Sequence, residues 1–167
     1  IPLVTSRRAA VVVLLATFPA ALAWRWWGER APDLKLQGIS GTIWNGTATR
    51  VAVRGQALGR MQWQLPFLRL VSGDPVVSVD LAGPGIKLKG DLARGADGTL
   101  AISGLHAEAE AGWLAPALAI PELEPTGLLV TEGATLLLSR TGMPRAIDAR
   151  IEWRNAGVRG QVVARLG

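Results

Sequence analysis

Side chains able to do chemistry are sparse in this sequence. His106 is the single histidine, and there is no cysteine. An imidazole acting as a general base needs a nucleophile and an orienting acid within reach. Ser103, the nearest serine, stands outside any Gly-x-Ser-x-Gly frame, so the turn that exposes a hydrolase nucleophile is missing. A hydrolase built on His106 would require the fold to bring that ring to a hydroxyl inside a concave pocket. One imidazole and no thiolate supply no ligand set for zinc and no redox pair.

The carboxylates offer little more. Glu108/Glu110 and Glu122/Glu124 are spaced i,i+2. Paired acids cleave glycosidic bonds when held across a sugar, but the chain has no tyrosine to form a sugar platform. These acids read as solvated charge. Gly83-Pro84-Gly85 lacks the Gly-Lys-Ser/Thr ending of a phosphate loop and reads as a turn. No catalytic, cofactor-binding or metal-ligating residue is expected, and neither is a cofactor or a small-molecule substrate. The chain reads as a non-enzyme.

The elements around these residues must therefore carry the function. A length of 167 residues suits one domain. The formal charge is +5, but residues 1–30 hold +3 of it and the remainder is nearly balanced, which excludes a nucleic-acid footprint.

Ala9 to Trp24 contains no charged residue. Extended to Trp27 the run has 19 residues, about 28 Å as a helix, close to the roughly 30 Å core of a bilayer. Arg7 and Arg8 precede it, and Trp24, Trp26 and Trp27 follow it. That order fits the positive-inside rule with an aromatic belt at the far interface. The competing expectation is a cleaved signal peptide, with Ala21-Leu22-Ala23 as its processing site. Either way the body of the chain is exported. The expected organisation is a cytoplasmic stub over 1–8, a transmembrane anchor over 9–27, a linker over 28–37 and a periplasmic β domain over 38–167.

From Leu34 onward, short alternating runs are punctuated by glycine. Thr49, Val51 and Val53 alternate with Arg50, Ala52 and Arg54. Val77, Val79 and Leu81 alternate with Ser78 and Asp80. Ile86 and Leu88 alternate with Lys87 and Lys89. Ile147, Ala149, Ile151 and Trp153 alternate with Asp148, Arg150 and Glu152. Each run gives a strand one apolar and one polar face. Turn signals separate the runs: Asn45-Gly46, Ser72-Gly73-Asp74-Pro75, Gly83-Pro84-Gly85, Gly142-Met143-Pro144, and Asp97-Gly98 as a two-residue hairpin. The expected fold is all-β and antiparallel, as a meander-like curved sheet or a sandwich. Residues 106–118 (HAEAEAGWLAPAL) predict one short helix ending near Pro116, followed by strands over Gly127–Thr131 and Ala134–Leu138. Val53-Arg54-Gly55-Gln56 recurs as Val158-Arg159-Gly160-Gln161, a faint internal repeat. Trp44, Trp63, Trp113 and Trp153 either fill the core or line an exposed face that binds a partner or lipid.

One stretch carries a family resemblance. It reads Gly41-Thr42-Ile43-Trp44-Asn45-Gly46-Thr47-Ala48, then Leu58-Gly59, Trp63 and Leu65-Pro66. Ile151-Glu152-Trp153-Arg154-Asn155-Ala156 follows much later. These motifs and the apolar N-terminal segment resemble the type II secretion system protein N family (general secretion pathway protein N). The resemblance marks Gly41, Trp44, Gly46, Leu58, Gly59, Trp63, Trp153, Asn155 and Ala156 as structural motif positions. It implies a single-pass protein of the bacterial inner membrane with its N-terminus cytoplasmic and its bulk in the periplasm. It further implies an accessory or assembly role in type II secretion, without enzymatic activity. Its partners would be other inner-membrane or periplasmic secretion proteins. Family members usually continue with a second β-rich stretch, so C-terminal truncation at Gly167 is expected. The rival expectation is an envelope β domain that binds lipid or another amphiphile in an open apolar face.

Overall fold

The computed structural model describes residues 17–28, 33–73, 75–95, 97–113, 123–141 and 143–160. Alternation becomes strand along nearly the whole body. In chain order the elements are α1 (Ala20–Trp27), β1 (Leu34–Gly41), β2 (Asn45–Val53), β3 (Gln56–Gln64), α2 (Phe67–Val71), β4 (Val76–Gly83), β5 (Ile86–Arg94), β6 (Leu100–Glu110), β7 (Leu123–Leu138), β8 (Pro144–Asp148) and β9 (Ile151–Gly160). The strands form one antiparallel sheet in the order β1-β2-β3-β4-β5-β6-β7-β8, and β9 also pairs with β7. The all-β meander expected from the sequence is the fold found, and no second sheet packs on it among the described residues.

Turn chemistry sets the register. Arg54 (φ +50°) and Gly55 (φ +83°) join β2 to β3 with both turn residues left-handed, the geometry of a type I′ hairpin. Pro84 followed by Gly85 at φ +81° gives the residue order of a type II turn between β4 and β5. The Asp97-Gly98 hairpin exists, but its loop spans residues 95–99 rather than two residues, because the Gly95 N–H donates to the Thr99 carbonyl at 2.9 Å. Asn45-Gly46 is not a turn. It begins β2, and the reversal lies at 42–44, where the Asn45 N–H donates to Thr42 Oγ1. Bulges interrupt β2–β3 near Val51, β5–β6 near Gly90 and β6–β7 near Leu105. Such insertions bend strands and increase their twist.

Five other expectations are corrected. Residues 106–110 are strand, not helix; residues 111–113 after β6 are helical, and 114–118 lie outside the described residues. The alternation that also runs through His106-Ala107-Glu108-Ala109-Glu110 wins here, because both neighbouring strands offer ladder partners. Gly127–Thr131 and Ala134–Leu138 are parts of the single strand β7. The run from Ile147 to Trp153 is split at Ala149-Arg150 into β8 and β9, which lie along successive halves of β7. The first strand starts at Leu34 and so takes in residues 34–37, given to the linker by the sequence reading. The repeated tetrapeptide also diverges: Arg54 turns, whereas Arg159 pairs with Glu124 inside β9.

The N-terminal segment enters the fold at Phe18. The Ile43 N–H donates to the Phe18 carbonyl at 3.1 Å, and Pro19 bridges to Thr42. Residues 17–19 are not helical, so α1 starts at Ala20 and packs beside β1. No described helix is long and apolar enough to cross a membrane. Residues 1–16, with Arg7, Arg8 and the apolar run from Ala9, lie outside the described residues.

A cluster of buried apolar residues lies in the β1–β5 half. Ala48, Val51 and Leu81 are buried there, with Leu36, Ile39, Met61, Trp63 and Leu88 packed against them. Val51 is the largest fully buried side chain among the described residues.

Candidate docking edge

Register places apolar residues in rows that cross the sheet. One row runs Ile39, Ala48, Met61, Leu81, Leu88, Ala107, Thr131 and Ile151. A second runs Val77, Leu92, Ile102, Leu136 and Ile147. A third runs Ile86, Ala109, Leu129 and Trp153. Residues 86, 88 and 92 of β5 share a face by alternation, so the three rows do too. Burial falls along the first row, from Ala48 at 0% exposed to Ile151 at 66%. The other rows also end on exposed side chains at the β8–β9 edge, Ile147 and Trp153. Met143 and Val158, near the two ends of this edge, are exposed as well.

The edge is a broken ribbon. β8 and β9 both hydrogen-bond to β7 on one side and have no strand on the other among the described residues. An open edge presents unpaired N–H and C=O groups to any incoming strand. Its charged residues are Arg145, Asp148, Glu152, Arg154 and Arg159; Arg154 pairs with Glu152 at 2.9 Å, and this contact lowers the Glu152 carboxyl below its ordinary pKa and raises that of Arg154.

The motif positions sit in local packing contacts and do not converge on one pocket. Gly41 (φ +86°) closes the end of β1 against the backbone of Asn45 and Gly46. Gly46 lies beneath the indole of Trp63, its register partner. Gly59 (φ +121°) presses on Ala82 and Gly83 of β4, and Leu58 packs against the core. Trp44 meets Phe67 edge-on at 5.3 Å, and its carbonyl accepts the Leu65 N–H. Far away on β9, Trp153 Nε1 donates to the Thr126 carbonyl at 3.1 Å, Asn155 adopts φ +52°, and Ala156 is exposed. None of the four body tryptophans is fully buried. Of the flanking positions, Trp24 stacks over Gly28, and the backbone of Trp26 and Trp27 completes α1.

His106 lies on the opposite, charged face. It lines a cleft of about 230 Å³ with Lys87, Lys89, Glu108 and Glu132. No hydrogen bond joins the imidazole to a hydroxyl or carboxylate among the described residues, and Thr131 Oγ1 is buried without a partner. Glu108 instead faces Lys87 at 3.8 Å. The described residues contain no cluster of metal-ligating side chains.

Sequence reasoning missed Ile147 and Ile151 as edge residues, because their alternation looked like that of any strand. It also missed α2, signalled only by Pro66 ahead of the apolar Phe67-Leu68 and Leu70-Val71 pairs.

No curated protein and no solved structure shows a significant match to the chain. The family model for type II secretion system (T2SS) protein N matches residues 32–166, which takes in all nine strands. Over that span, the chain belongs to the type II secretion system protein N family, and so to the components of that secretion machinery that work in contact with its other proteins.

Proposed function

We propose that this protein is a non-enzymatic accessory or assembly component of type II secretion that works by being anchored and by being touched. The apolar segment beginning at Ala9 ties it to the bacterial inner membrane, with its N-terminus cytoplasmic and its sheet in the periplasm. The β8–β9 edge is its docking strand for another secretion component. The observation that carries this reading is the run of three apolar rows that lose burial toward Ile147, Ile151 and Trp153. Strand addition there would pair the free backbone groups and cover the row ends in one step.

Photocrosslinking tests the reading. A photoreactive residue at Ile151, in cells with a working secretion system, should yield an adduct with a secretion component. The same residue at Arg54, in the far hairpin, should yield none. Absence of an adduct from both Ile147 and Ile151 would sink the docking role.

The incomplete cover over the same rows favours a second reading, an envelope domain that holds a lipid or another amphiphile on its apolar face. Native mass spectrometry of protein extracted from membranes separates the two. A lipid that copurifies and is lost in Ile151→Glu would support the amphiphile reading.

A further inference from the structure

The two ends of the sheet differ in chemistry. One end gathers the connections 42–44, 65–75, 95–99 and 139–143; the other includes the turns at 54–55 and 84–85. At the first end, α2 exposes Phe67, Leu68, Leu70 and Val71 at 48%, 81%, 42% and 69%, and buries none of its residues. Four large apolar side chains on a five-residue helix contribute almost nothing to the core of this fold. A contiguous patch of this kind marks a contact surface.

Two contacts fix where that patch sits. The Leu65 N–H donates to the Trp44 carbonyl at 2.6 Å, and the Phe67 ring meets the Trp44 indole. This ties the β3–β4 connection to the 42–44 turn. The same turn receives the N-terminal segment through Phe18–Ile43 and Pro19–Thr42. The chain therefore enters the described fold at the end that carries α2. Charge follows the same polarity. The connections at this end and the strand residues beside them hold Arg69, Arg94, Arg140 and Arg145 against Asp74 and Asp97. At the other end, the two turns offer Arg54, already paired with Asp33 at 3.4 Å, and the one large apolar side chain described beside them, Trp113, lies half-buried against Gly85.

We infer that this end of the sheet rests on the lipid bilayer, with the apolar side chains of α2 among the headgroups and the surrounding arginines over anionic phosphates. The inference builds on the proposed membrane attachment: Phe18 and Pro19 bind the 42–44 turn, so a chain held at the membrane ahead of them keeps Trp44 and α2 on the side from which it enters. Apolar side chains beside basic ones are what an interfacial contact with anionic lipid requires. The β8–β9 edge is then held upright, clear of the lipid and open to a protein.

The absence of cysteine makes a clean test available. Leu68→Cys introduces the sole thiol at a position 81% exposed, so the fold should tolerate it. The full chain, labelled there with an environment-sensitive fluorophore, is reconstituted into vesicles of phosphatidylethanolamine and phosphatidylglycerol. The expected result is a blue-shifted emission, quenched about twofold or more by lipids spin-labelled near the headgroup. The same label at Arg54→Cys should report water. If the chain floats with the vesicles while the Leu68 label reports water, the inference falls and the anchor stands. A blue shift without lipid quenching means α2 is covered by a second copy, which also overturns it. A chain that does not float with the vesicles removes both the inference and the anchor. The docking role of β9 is read separately, by the Ile151 crosslink.

Discussion

At the residue scale, glycines set tighter limits here than the charged side chains do. A Cβ at Gly46 would enter the Trp63 indole, with Cε2 at 2.7 Å and the Ser40 carbonyl at 2.9 Å. Gly46→Ala should therefore cost about 1–3 kcal/mol of stability, read as a lower midpoint in thermal or urea melts. Gly59→Ala should cost at least as much, because its φ of +121° adds backbone strain to a collision with β4 backbone. Thr131 points the other way. Its buried hydroxyl lacks a partner, so Thr131→Val should raise stability by about 1 kcal/mol in the same melts. The sequence made these glycines and tryptophans visible as a spaced motif. It did not show that Gly46 underlies Trp63, because that contact depends on the cross-strand register of β2 and β3.

At the scale of elements, alternation and turn residues made most strands legible. They failed where two signals coincided. His106-Ala107-Glu108-Ala109-Glu110 has helix-forming alanine and glutamate and also a two-residue period, and only the presence of β5 and β7 on either side decides between them. The docking edge was hidden for a related reason: an edge strand and a central strand share one pattern, and only topology separates them. Replacing Ile147 and Ile151 together with lysine should leave the melting midpoint within about 0.5 kcal/mol of the parent while abolishing the crosslink of the edge to its partner. The β5–β6 loop has its own pH signature. Hydrogen bonds from the Thr99 hydroxyl at 2.6 Å and the Thr99 N–H at 3.0 Å hold the Asp97 carboxyl below its ordinary pKa. A depressed carboxylate stabilises the folded loop above the ordinary Asp range and loses that contribution as pH falls through the lowered value. Amide exchange at Thr99 should accelerate in that acid window relative to its intrinsic rate, and Asp97→Ala should remove the acid-dependent step.

At the scale of the molecule, a single sheet whose buried cluster of Ala48, Val51 and Leu81 lies in β2 and β4, and whose β8–β9 edge is exposed, should open from that edge. Amide protection is expected to be highest in β2–β4, around Ala48, Val51 and Leu81, and lowest in β8 and β9, as measured by native-state hydrogen exchange. The family and the all-β body were legible from ordered motifs. The docking of Phe18 and Pro19 on the 42–44 turn was not, since it rests on a tertiary contact that no local pattern encodes. The meander order of the sheet also has a temporal meaning. From β2 to β8 each strand pairs with its immediate predecessor, and β9 reaches back by only one further strand. A chain emerging amino end first can zip each new strand onto a finished neighbour, without waiting for a distant partner. β8 and β9 follow β7 in the chain, so the edge offered for docking takes shape only after β1 to β7 have been delivered to support it.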